Sequence, residues 1–118
     1  MDKPRRLARR QEKDGAGSYG ARLTPMSGAG ANAKGDAESA TEHIEFKHTE
    51  RISYSLKLKE LMTTARDAIL AHKRMVFEIE FTRPDGFDAV RFVVLNKDEY
   101  VAMKERLEQL WSKIEADC

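Results

Sequence analysis

Six consecutive residues in the middle of the chain, His43-Ile44-Glu45-Phe46-Lys47-His48, alternate between polar and apolar side chains. Successive side chains on a strand point to opposite faces. The stretch therefore reads as a half-buried strand with Ile44 and Phe46 on one face and Glu45 and Lys47 on the other. His43 shares the face of the acid and the lysine, and His48 lies opposite. Such a strand needs a core on one side and leaves charged chemistry on the other.

Asp36 stands nine residues before Glu45. That distance is room for a short strand, a turn at Ser39 to Thr41 and an antiparallel return beside Glu45. Two carboxylates set side by side can hold one hard cation. Magnesium takes oxygen ligands, keeps several waters and is usually bound by one or two carboxylates together with substrate phosphate. Lys47 adds a positive charge able to stabilise a developing phosphorane or to lower the pKa of an attacking water. Taken alone the triplet also fits a solvated strand face. It is, however, the only Glu-x-Lys in the chain, and a Gly-rich segment ending in Gly35-Asp36 precedes it.

The order Glu12, Ser27-Gly28-Ala29-Gly30, Lys34-Gly35-Asp36, Glu45-Phe46-Lys47 and Ser53-Tyr54-Ser55-Leu56-Lys57 resembles the PD-(D/E)xK nuclease superfamily. Within it the chain is most similar to the small Holliday junction resolvases of archaea and phages, over roughly residues 5 to 81. The resemblance implies an α/β fold, a restriction-endonuclease-like α-β-β-β-α-β core with a mixed sheet. Here a C-terminal hairpin strand and helix are added. It implies metal ligation by Asp36, Glu45 and Glu12, catalysis by Lys47, and a contributing serine at Ser27 on the Gly-rich loop. Gly35 stands where the family name has Pro, a departure that many members share. The implied activity is magnesium-dependent cleavage of four-way DNA junctions, with manganese as a substitute, by a homodimer acting on branched double-stranded DNA. Two alternatives keep part of this reading: a general or nick-processing endonuclease, and a non-catalytic nucleic-acid-binding module.

Charge distribution agrees with a polyanionic partner. The formal net charge is only +1, but residues 1–24 hold seven basic side chains against three acidic ones, a local excess of +4. Arg5, Arg6, Arg9 and Arg10 in this basic end, with Lys34, Arg51, Ser55, Lys57 and Lys59, are the candidate DNA contacts. A helix starting near Ser55 as N-cap would add free backbone N–H groups for a phosphate. No run of 18 apolar residues and no N-terminal apolar segment occurs, and one cysteine, Cys118, allows no internal disulfide. These features lead to the expectation of a cytoplasmic protein of a phage or a bacterial or archaeal cell, with no membrane contact.

The remaining periodicities complete a single domain over 1–118, with a basic tail at 1–10. Helix is expected over Arg5–Asp14, ended by Gly15 and Gly17, and a first strand over Tyr19–Thr24. A second helix over Leu56–His72 carries Leu58, Leu61, Met62, Ala65, Ala68 and Ile69 as its sheet-facing stripe. Met75–Thr82 alternates as a strand, with Glu78 and Glu80 on a charged outer face. Pro84-Asp85-Gly86 turns the chain into a hairpin partner over Asp88–Leu95. Asn96 and Glu99 resemble a capping box opening the helix over 96–116, with Tyr100, Met103, Leu107, Leu110, Trp111 and Ile114 as its apolar face. That face either covers the sheet or forms a dimer contact. The three histidines read as structural or surface residues, since zinc would need three or four converging ligands.

Overall fold

The computed structural model describes residues 3–23, 36–82 and 88–117, with side chains from residue 10 onward. Its elements run α1 (Lys3–Ser18), β1 (Arg22–Leu23), β2 (Ala37–Glu38), β3 (Glu42–Thr49), α2 (Leu58–Leu70), β4 (Arg74–Phe81), β5 (Val90–Val94) and α3 (Lys97–Ala116). The strands form one sheet in the order β1-β2-β3-β4-β5. β3 and β4 run parallel, and the other three pairings are antiparallel. The chain is thus an α/β protein with a five-stranded mixed sheet and three helices.

The sheet is sandwiched between α1 and α2, α1 covering the apolar face of β3 and α2 the apolar face of β4. On the α1 side, Ile44, Phe46 and Val76 pack with Ala16 and Ala37. On the α2 side, Met75, Phe77 and Ile79 pack with Ala68. Phe77 and Ile44 are fully enclosed, each stabilising the fold by roughly 1.5–3 kcal/mol. The Ser39–Thr41 turn forms as its sequence implies, with the Ser39 hydroxyl accepting the N–H groups of Thr41 and Glu42. This turn returns β3 antiparallel to β2, so that Ala37 faces Ile44.

Four expectations are corrected. Gly15 and Gly17 do not end the first helix, which continues to Ser18. A Cβ on Gly15 would collide with the Phe46 ring, so this glycine serves the close approach of α1 to β3, and the left-handed turn comes at Gly20, φ +63°. The second helix starts at Leu58 with Lys57 as N-cap, and no side chain caps it; Ser55 lies upstream and exposed. Its sheet-facing stripe is Leu61, Thr64, Ala65 and Ala68, whereas Leu58, Met62 and Ile69 are exposed. Glu78 and Glu80 lie not on an outer face but buried beneath α1 and β5, at 4% and 7% exposure. A strand central in a sheet and covered on both sides has no outer face, and each acid is paired accordingly. Glu78 accepts from the Tyr19 hydroxyl at 2.8 Å and from Gln11 Nε2 at 3.2 Å. Glu80 meets Arg91 at 3.4 Å.

The Asn96 side chain caps α3 by accepting the N–H groups of Asp98 and Glu99. The capping box is only half made. The Glu99 carboxylate turns away from Asn96 and accepts the N–H of Met75 at 3.1 Å, tying α3 to the first residues of β4. The Pro84–Gly86 turn lies outside the described residues.

Candidate active site

β3 delivers its alternation as the sequence requires: Ile44 and Phe46 are buried, and Glu45 and Lys47 are partly exposed on the α2 face. The Lys47 ammonium lies 3.7 Å from Glu45 Oε1. Asp36, immediately before β2, is held by the sheet. Its N–H donates to the Ile44 carbonyl at 2.9 Å, and its Oδ2 accepts the Phe46 N–H at 2.8 Å. These two bonds anchor the carboxylate beside the residue that follows Glu45, close enough for the Asp36 and Glu45 carboxyls to hydrogen-bond.

The electrostatics record this crowding. Burial first, then the charge of Asp36, push the Glu45 carboxyl up to about 7, with Lys47 opposing the rise and the Asp36 hydrogen bond and the Glu12 charge from α1 adding to it. Asp36, Lys47 and Glu12, nominated separately along the sequence, therefore all act on Glu45 in space. Glu12 sits in the middle of α1 rather than in its last turn, because the helix continues to Ser18. Ser27 and Lys34 lie outside the described residues. The backbone of Arg5, Arg6 and Arg9 belongs to α1, and Arg10 is exposed beside Asp14 at 3.8 Å. Arg51, Ser55 and Lys57 are exposed on the β3–α2 connection, and Lys59 reaches the site.

Lys59 does so through a cleft of about 230 Å³ lined by Glu45, Lys47, Lys59, Glu60, Thr63 and Asp67, among others. Two members of this region escape sequence reasoning. Glu60 lines the cleft from the first turn of α2, and Tyr54 donates to its Oε2 at 3.4 Å. Burial, then the charge and hydrogen bond of Glu60 and the charge of Glu45, push the Tyr54 hydroxyl up to about 12, so it stays a proton donor. An acidic residue three positions into a helix is ordinary, and nothing in its spacing announces the cleft. Gln11 is the third omission. It is 1% exposed and donates both to Glu78 and to the Lys47 carbonyl at 2.8 Å, fixing α1 against the strand that carries the lysine.

Among the described residues, no three His, Cys, Asp or Glu side chains are grouped to hold a metal ion. What the site offers is a carboxylate pair, and that pair suits magnesium, which needs few protein ligands. A carboxyl held near 7 by burial first and by a neighbouring carboxylate second can exchange its proton for a divalent cation. Asp36 and Glu45 would hold such an ion. His43 is not available to help, being 1% exposed with its Nδ1 3.8 Å from Glu38. His48 is bonded through Nε2 to the Thr82 hydroxyl at 2.7 Å, and His72 is exposed in the turn after α2.

No known protein family, curated protein or solved structure matches the chain. Among the described residues no helix is long and apolar enough to cross a membrane.

Proposed function

We propose that the chain is a magnesium-dependent DNA endonuclease of the PD-(D/E)xK type that resolves four-way junctions, with manganese able to substitute. The observation that carries the reading is the convergence of Asp36, Glu45 and Lys47. Two acids from neighbouring elements meet carboxyl to carboxyl, and a lysine two residues after the second acid stands 3.7 Å from it. The order α1-β1-β2-β3-α2-β4, with β3 parallel to β4, supports the same reading, because it is the order of elements that the resemblance implies.

Each residue then has a task. Asp36, fixed by two backbone hydrogen bonds, and Glu45 would hold the cation. When bound, magnesium would supply a Lewis acid that neutralises a scissile phosphate and makes hydroxide accessible near neutral pH. Lys47 Nζ opposes the negative charge that builds on the phosphorane. Glu12 adds negative potential from α1. Water oxygen bonds to phosphorus, the bond to the 3′ oxygen breaks, and that oxygen takes up a proton, leaving a 5′-phosphate. Lys59 at the cleft, with Arg51 and Lys57 upstream, supplies positive charge for the backbone of the duplex arms.

The test is cleavage of a labelled four-way junction with magnesium, in excess linear duplex, comparing the wild type with Asp36→Asn. Paired symmetric nicks in the junction, lost in the variant, are the expected result. Equal cutting of duplex and junction would keep the site and remove the junction preference. An intact junction that is nonetheless bound would leave a non-catalytic binder.

A further inference from the structure

α3 is well made and nearly bare. The Asn96 cap, Asp98 and Glu99 in its first turn and Lys113 in its last support it, yet every residue from Tyr100 to Asp117 is exposed. Its apolar side chains are not scattered. Tyr100, Met103, Leu107, Leu110 and Ile114 follow one another at spacings of three and four, the a and d positions of a heptad, and Trp111 stands beside them. These six are between 42% and 57% exposed and together present roughly 600 Å², about one side of a small specific interface.

The start of this seam adjoins a cavity. Tyr100 and Met103 form one wall, with Tyr19, Val76, Val93 and Leu95 among the others, and its volume of about 150 Å³ admits one ring-sized side chain. A seam with a socket at one end suits a helix that lies along the seam and sets one bulky apolar residue in the socket.

The charges beside the seam specify that helix further. Past the first turn, the charged residues at the flanking e and g positions are Lys104, Arg106 and Lys113, all basic. Glu105, Glu108 and Glu115 fall at the b and f positions, on the far side. A second copy of α3 would set cation against cation whichever way it ran. A lipid surface or a nucleic acid is poorly matched for another reason. α3 carries four basic and five acidic side chains, so as a whole it offers no positive excess to an extended anionic surface. Cations in line with an apolar seam instead match acids in the same line on a single opposing helix.

We propose that α3 is a docking helix for another protein, whose contacting segment is an amphipathic helix with an apolar heptad seam flanked by Asp or Glu. This contact does not depend on the nuclease chemistry of the site, and its test involves neither DNA nor magnesium.

Two synthetic peptides of three heptads are titrated into the full chain. Both carry Leu at a and d and no tryptophan; one has Glu and the other Lys at every e and g position. Trp111 is the only tryptophan in the chain, so its emission reports the seam directly. The Glu peptide is expected to move that emission to the blue and to bind on the order of 30-fold or more tighter than the Lys peptide, the gap narrowing at high salt. Lys104→Glu combined with Arg106→Glu is expected to reverse the preference, a gain of binding that loss of the helix cannot produce. Leu110→Ala keeps helix propensity and is expected to weaken the Glu peptide by on the order of 10-fold or more. Ser112→Lys, on the far side, is expected to leave its affinity near the wild-type value. Sedimentation of the chain alone and titration with phosphatidylglycerol vesicles test the other occupants. Failure to bind the Glu peptide, equal binding of both peptides, a dimer that Leu110→Ala disrupts, or a blue shift with vesicles but not with the Glu peptide would each overturn the proposal.

Discussion

The Asp36 carboxylate accepts the backbone N–H of Phe46 at 2.8 Å, so one side chain serves both the sheet and the site. The bond holds the Asp36 side chain on β3 beside Glu45, whose carboxyl hydrogen-bonds to it. Asp36→Asn keeps an oxygen for the amide while removing the charge. It is expected to fold with stability close to the wild type and to lose cleavage by on the order of 10²-fold or more. Asp36→Ala strands the Phe46 N–H as well, and is expected to cost about 1–3 kcal/mol in urea unfolding. Equal stabilities for the two variants would mean that the bond carries no weight in the fold.

Gly15 and Gly17 lie on the same helix and differ only in what stands opposite. A Cβ on Gly15 meets the edge of the Phe46 ring, and one on Gly17 meets nothing within 4 Å. Phe46 is itself packed, 6% exposed between Ala16 and Tyr19, so it has little room to yield. Gly15→Ala is expected to destabilise by about 1–3 kcal/mol, the overpacking cost outweighing the gain in helix propensity. Gly17→Ala is expected to stabilise by up to about 1 kcal/mol. Thermal unfolding of the pair checks both signs at once.

This pair also marks the limit of what the sequence conveys. Glycine in a helix is read as a stop signal, and the difference between a stop and a close approach lies in Phe46, 31 positions away. Alternation over His43–His48 announced β3 and the face of Glu45 and Lys47 because strand periodicity is a local property. The Asp36 turn was legible for the same reason, since Ser39 satisfies it locally. Glu78 and Glu80 were misplaced because their burial depends on Gln11, Tyr19 and Arg91, partners from other elements that no local pattern reveals. The cleft partners Tyr54 and Glu60 were missed for that reason too. On α2 the exposed Leu58, Met62 and Ile69 are as apolar as the inner residues. The hydrophobic pattern therefore left the helix rotation undetermined until Thr64 and Ala68 were seen against the sheet.

The Tyr19–Glu78 bond joins the residue that follows α1 to β4. Burial first, and then this bond, hold the Tyr19 hydroxyl far above its ordinary range, so it donates at every accessible pH. Tyr19→Phe leaves one oxygen of a buried carboxylate without its donor, while Gln11 still serves the other. The expected cost is about 1–3 kcal/mol. Glu78→Gln in the same background is expected to recover part of that loss, because the orphaned oxygen no longer carries charge. A double-mutant cycle by chemical denaturation measures the coupling, and additive single effects would show that the two residues do not interact.

Glu45 ties the chemistry of the site to the stability of the fold. In the unfolded chain its carboxyl titrates near 4.5, and in the fold burial and the Asp36 charge raise it to about 7. The folded state therefore binds more protons between these values. The stability conferred by the protonated carboxyl is complete below about pH 4.5 and is lost as pH rises through 7. The amount is on the order of 3 kcal/mol. The metal-free protein is expected to melt at progressively lower temperature over this interval. Glu45→Gln cannot ionise, so it is expected to remove this component and to outlast the wild type at about pH 8 while losing cleavage. A cation competes with the proton for the same oxygens, so magnesium is expected to raise the wild-type melting temperature more at about pH 8 than at about pH 5.5. Glu45→Gln is expected to show little response at either pH. A wild type indifferent to magnesium at the higher pH would remove the cation from this carboxylate pair.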